Sequence, residues 1–214
     1  MKLTSYEFTP RSGITGYCKE YDPAGVRQMS GNKVRLTATP TKSAGILGPV
    51  LGYGDYMFTF SGRPDQMDPS MVFSIWLYDD ATKDEIDVFE FTRWGDQNQP
   101  GNLHIGGYYR GKREGLNPPL VFAPCRAFNS WFVSMVVDKT GVSVFIYGKW
   151  THDGKSEWKD VGRWESKLPK DFTIGQVRAA MWVPPTGLTY TGSWDRGPMS
   201  MTLDTMIVSQ EITK

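Results

Sequence analysis

The chain is poor in the residues that most metal and redox chemistry needs. Its 214 residues include two cysteines, Cys18 and Cys125, and two histidines, His104 and His152. No CxxC pair occurs and the histidines are far apart, which argues against a thiolate zinc site. The two cysteines leave one disulfide or two separate thiols open. Neither sign of charge is in excess: 24 Lys and Arg stand against 23 Asp and Glu, for a net charge of +1. A broad basic footprint for nucleic acid or anionic lipid is therefore lacking, and neither partner is expected. No run approaches the roughly 18 apolar residues of a membrane-spanning helix. The opening MKLTSYEFTP has a single lysine and no apolar h-region, so no signal peptide is expected within the chain. No long helical period is visible either.

What is abundant is aromatic surface: 8 Trp, 10 Tyr and 11 Phe. A large core absorbs many such rings, and an open sugar-binding groove would use several more. The rings fall in short runs rich in β-branched and aromatic residues: KVRLTAT (33–39), DYMFTFSG (55–62), SMVFSIWLY (70–78), NLHIGGYYR (102–110), SWFVSMVVD (130–138), GVSVFIYG (141–148), VRAAMWV (177–183) and MSMTLDTMIVSQEI (199–212). Turn residues separate them about every 8–15 positions, which predicts an antiparallel sandwich or barrel. Lys139, Thr140 and Gly141 mark a hairpin turn. The polar stretch 149–170, with Trp150, Trp158 and Trp164, reads as a hairpin or long surface loop whose tryptophans pack locally. No composition shift divides the chain, so one domain over 1–214 is expected.

One run resists a regular strand reading. In KDEIDVFEFTRWGD (83–96), Glu85, Asp87 and Glu90 are spaced by two and then by three. Strict alternation would put Glu90 on the face opposite the other two and leave both faces mixed. A β-bulge at Val88-Phe89 shifts the alternation after it. All three carboxylates then share one face, while Ile86, Phe91 and at least one of Val88 and Phe89 turn to the core. Glu85 and Glu90 become four effective steps apart, roughly 13 Å between Cα atoms. Inward-leaning side chains can close this to about 5–5.5 Å, the carboxyl separation of a retaining glycosidase. Crowded carboxylates also raise the pKa of at least one member. Three acidic residues on one strand face are ordinarily just a solvated face, and the spacing alone favours that reading.

DEIDVFEF resembles the Glu-x-Asp-x-x-Glu signature of glycoside hydrolase family 16. GYGDYMFTF (52–60), SMVFSIWLYDD (70–80), FNSWFVSMVVDKTGVSVFIYG (128–148) and the segment from AAMWVPP to MSMTLDTMIVSQ resemble other strands of that family, in order, over about residues 33–210. The resemblance implies an all-β, concanavalin-like β-jelly roll: a sandwich of two antiparallel sheets with a concave substrate cleft. It implies a retaining endo-glycosidase acting on a β-linked polysaccharide, a β-1,3-containing glucan first. By position Glu85 resembles the nucleophile, Asp87 the assisting acid and Glu90 the acid/base. The inserted residue resembles the bulged form of laminarinases and galactanases. Trp76 and Tyr78 fall at aromatic subsite positions, and Trp182 and Trp194 resemble two ring-stacking tryptophans. To these we add Trp94, just past Glu90, and Tyr108 on the next strand; His104 beside it has either a cleft-flanking or a plain structural role.

The chain also departs from the pattern. Where lichenase-like members place a sugar-holding Glu and Arg, this sequence has Met57 and Thr59, and Asp84 stands where Gly is common. The resemblance implies no cofactor for the reaction and allows a structural Ca²⁺ away from the cleft, with Asp204 as one candidate ligand. It further implies a monomer working outside the cell or in the periplasm. A galactan hydrolase of agar or carrageenan type, or a non-catalytic lectin-like domain on the same fold, are the alternatives.

Overall fold

A computed structural model describes residues 2–6, 16–17, 22–39, 41–95, 102–112, 128–152, 155–182 and 198–210. Cys18, Cys125 and Trp194 lie outside them. The strands are β1 (Lys2–Tyr6), β2 (Gly16–Tyr17), β3 (Val26–Gln28), β4 (Val34–Ala38), β5 (Ala44–Val50), β6 (Gly54–Ser61) and β7 (Val72–Tyr78). They continue with β8 (Glu85–Phe91), β9 (Leu103–Tyr108), β10 (Ser130–Val137), β11 (Gly141–His152), β12 (Lys155–Lys167), β13 (Gln176–Trp182) and β14 (Met199–Gln210). Two antiparallel sheets form. One runs β12-β11-β10-β6-β14-β4-β3, with β1 also paired to β14; the other runs β2-β5-β13-β7-β8-β9.

The expected alternation builds the core between them. Val34, Leu36 and Ala38 face inward from β4, Tyr56, Phe58 and Phe60 from β6, and Trp131, Val133, Met135 and Val137 from β10. The facing sheet contributes Phe73, Ile75 and Leu77 from β7 and Val177, Ala179 and Met181 from β13. Phe60 is the hub. Its ring lies 5.2 Å from Phe73, 4.7 Å from Phe89, 5.9 Å from Phe91 and 5.7 Å from Trp131. Rings buried this way each stabilise by about 1.5–3 kcal/mol, so this cluster ties the two sheets together.

The stretch read as a hairpin or long loop is the far part of a β11–β12 hairpin. Trp164 enters the core, whereas Trp158 is exposed and meets the edge of Phe132. The turn at Lys139-Thr140-Gly141 is as expected: Asp138 Oδ1 accepts from the Thr140 and Gly141 amides at 2.6 and 3.0 Å. Strand β5 went unrecognised because AGILGPV carries two glycines and a proline. Gly48 and Pro49 lie where the register with β13 shifts between Val50 and Leu47, and β2 reaches only Ile46 and Leu47 on the other side. Proline is tolerated at such a bulge on a nearly open edge.

Candidate active site

Strand β8 is bulged where the acidic spacing requires it. On the β7 side Trp76 pairs with Asp87 and Ile75 with Phe89, which leaves Val88 without a partner. On the β9 side the register jumps from Asp87–Gly106 to Glu90–His104, so Val88 and Phe89 together oppose Ile105. Ile86, Val88, Phe89 and Phe91 are all fully buried in the core. Both bulge residues therefore turn inward, one more than the minimum the spacing demands. Glu85, Asp87 and Glu90 share the opposite face.

The register arranges that face in cross-strand rows, with neighbours about 5 Å apart. Tyr78, Glu85 and Tyr108 form one row. Arg178, Trp76, Asp87 and Gly106 form the next. Ala180, Ser74, Glu90 and His104 form the third, and Trp182 lies beyond it opposite Val72. Trp182 donates its indole N–H to Ser74 Oγ at 3.3 Å. Trp94 arrives from the turn after β8. Its backbone is left-handed, with φ 50°, and its amide donates to Thr92 Oγ1 at 3.0 Å. That turn brings the ring edge-on to both His104 and Trp182, at 6.1 and 6.2 Å. The structure thus gathers Trp76, Tyr78, Trp94, Tyr108 and Trp182 around the three carboxylates.

Burial pushes the Glu85 carboxyl up to about 9, aided by the charge of Asp87, a hydrogen bond with Asp87 and the charge of Glu90; Arg178 acts in the opposite sense. Glu85 therefore holds a proton at neutral pH, through burial first and its crowded neighbours second. That proton lies in the hydrogen bond between Glu85 and Asp87.

Other expectations resolve differently. Met57 and Thr59 are on β6, between the core residues Tyr56, Phe58 and Phe60, and so face outward from the other sheet. They lie across the sandwich from the carboxylates and have no part in this face. Asp204 is paired with Lys33 at 2.8 Å. Among the described residues no group of three or more His, Cys, Asp or Glu could hold a metal ion. Sequence reasoning missed Arg178 and Ser74. Alternation would have found both: Arg178 shares its face with Trp182, and Ser74 shares its face with Trp76.

Asp84 is fully buried. Its two oxygens accept the amides of Arg110 and Thr173, each at 2.9 Å, which ties the start of β8 to two neighbouring loops. Asp84→Ala leaves both amides without their acceptor. A loss of about 2–4 kcal/mol is expected in urea unfolding; a loss below about 1 kcal/mol would mean that the two bonds matter little.

No family model matches this chain, and no curated protein matches it. Solved structures do share its fold. A prokaryotic β-1,3-1,4-glucanase (lichenase) derived from a mouse hindgut metagenome superposes with a TM-score of 0.65 at 13% identity, covering 98% of this chain and 99% of that one. The κ-carrageenase from Pseudoalteromonas carrageenovora, in complex with an oligotetrasaccharide of κ-carrageenan, gives 0.59 at 14% identity, over 96% and 93% of the two chains. A family 16 glycosyl hydrolase protein from Mycobacterium smegmatis gives 0.58 at 15% identity, over 88% and 80%. The two-sheet architecture is thus the concanavalin-like jelly roll, in the form found in glycoside hydrolase family 16. At these identities the likeness is one of fold.

Proposed function

We propose that the protein is a retaining endo-glycosidase that hydrolyses a β-linked polysaccharide, a β-1,3-containing glucan first among the candidates. The observation that carries this is the bulged β8, which sets Glu85, Asp87 and Glu90 on one face among five aromatic side chains. Glu85 attacks the anomeric carbon, and Glu90, which enters the step with a proton of its own besides the one between Glu85 and Asp87, gives that proton to the departing glycosidic oxygen. Glu90, now a base, then activates the water that releases the sugar with its anomeric configuration retained. Asp87 serves Glu85 through their hydrogen bond: it takes the shared proton as Glu85 engages the sugar. No metal or organic cofactor enters this sequence. The rings suit a repeating chain, because apolar C–H faces of sugars gain burial against Trp and Tyr without requiring one hydroxyl pattern. The family's extracellular or periplasmic setting fits a polymeric substrate.

Incubation with laminarin, lichenan, agarose, porphyran and κ-carrageenan, followed by product sizing and NMR of the new reducing end, tests this reading. Internal cleavage with β-configured first products is expected. Release of α-configured first products would overturn the retaining mechanism. Glycan binding without turnover, little altered in Glu90→Gln, would assign the fold to a lectin-like domain instead.

A further inference from the structure

Arg178 is poorly explained as a structural residue. Its guanidinium pairs with Asp80 at 2.5 Å, yet the Asp80 side chain is 72% exposed while that of Arg178 is 19% exposed. An ion pair with so exposed a partner contributes little, about 0–1 kcal/mol. Meanwhile Arg178 Nε is buried and has no hydrogen-bond partner. An unmet buried donor costs more than the pair returns. Such a group calls for another reason to be there.

The reason lies in what the guanidinium faces. It sits 4.7 Å from the ring centre of Tyr78, and Tyr78 is the cross-strand partner of Glu85. Glu85 is surrounded by Asp87 and Glu90 on its own strand, Tyr78 on β7, Tyr108 on β9 and Arg178 on β13. The β7–β8 turn adds Asp79, Asp80, Lys83 and the buried Asp84; the Lys83 ammonium is 5.7 Å from the Tyr78 ring centre. Among the described residues Arg178 is the cation that acts on Glu85 against burial and two carboxylates.

We propose that Arg178 is a positioning residue: held over Tyr78 and paired with the exposed Asp80, it favours the carboxylate form of Glu85 that attacks the sugar. This rests on the glycosidase reading above. Arg178 need not touch the substrate. A purely structural arginine would affect folding and leave the titration of Glu85 where it is.

The test follows Glu85 directly, in full-length protein labelled with ¹³C at glutamate carboxyls and assigned by the signal lost in Glu85→Gln. In Arg178→Met the Glu85 midpoint is expected to rise by about one pH unit, and Arg178→Lys should restore most of it. Asp80→Asn, which removes a negative charge and frees the guanidinium, should lower the midpoint. In the active enzyme the acidic limb of kcat/KM should move with these midpoints while KM changes little. An unmoved midpoint in Arg178→Met, or in Asp80→Asn should the first variant not fold, overturns the role of Arg178. An unmoved midpoint in an enzyme that still cleaves its polysaccharide overturns that role alone. A shifted midpoint in a protein that hydrolyses none of the polysaccharides overturns the glycosidase reading, and the positioning role with it.

Discussion

Glu85→Gln is expected to lose at least roughly 10³-fold in turnover and yet to melt higher than the parent protein at pH 8. The first effect follows from losing the attacking oxygen. The second follows from the proton that Glu85 holds. Its folded pKa is raised to about 9, chiefly by burial, whereas an unfolded glutamate titrates near the ordinary carboxylate value. Below that ordinary value both states are protonated and the fold bears no penalty. As pH rises from there toward 9, the unfolded chain gives up its proton while the folded chain still holds one, so stability falls. Glutamine has the shape of the protonated acid and never ionises. The gain at pH 8 should be on the order of 2 kcal/mol, after discounting for the partial exposure of Glu85 and its coupling to Asp87. In a protein of this size that is a Tm higher by about 4–8 °C, and the gap should nearly close at pH 4.5. Calorimetric melts at the two pH values decide it. An equal gap at both, or a parent that melts higher at pH 8, would show that the carboxyl is not held protonated.

The same trade explains what could be read from the sequence and what could not. The bulge was legible because charge and apolar side chains cannot share a face. Only one register of DEIDVFEF separates them, and that register is found. Most strands were legible for the same reason, since residues such as Val34, Leu36 and Ala38 alternate cleanly into the core. Strand β5 was not, because Gly48 and Pro49 erase its local signature and only pairing with β13 defines it. Arg178 was obscured differently. Its strand reads QVRAAMW, and although alternation sets the arginine on the face of Trp182, nothing in those seven letters says that it stands two strands from Asp87. That juxtaposition depends on the β13-β7-β8 order, which is a property of the whole sheet.

The bulge itself should depend on one core ring, and Phe89→Ala is expected to show it. Phe89 stacks on Phe60 at 4.7 Å and touches Phe73 and Phe91 at 5.4 and 5.3 Å. These contacts join β8 to β6 and β7, so the ring holds the inserted residue in place from below while Asp87 and Glu90 stand above. Truncation removes a fully buried aromatic side chain and should cost about 3–5 kcal/mol in chemical unfolding. The unbulged register is no refuge, since it would carry the Glu90 carboxylate into the core, where an unpaired charge is very costly. The strand should therefore loosen locally rather than slip. A misplacement of about 1 Å between Glu85 and Glu90 can lower kcat/KM roughly 10²-fold without any change in a group that meets the substrate. Phe89→Leu, which refills much of the volume, should recover most of both losses. If Phe89→Ala kept full activity while losing stability, the geometry of the carboxylates would have to be set by the β7 and β9 hydrogen bonds alone, and the packing beneath the bulge would be irrelevant to catalysis.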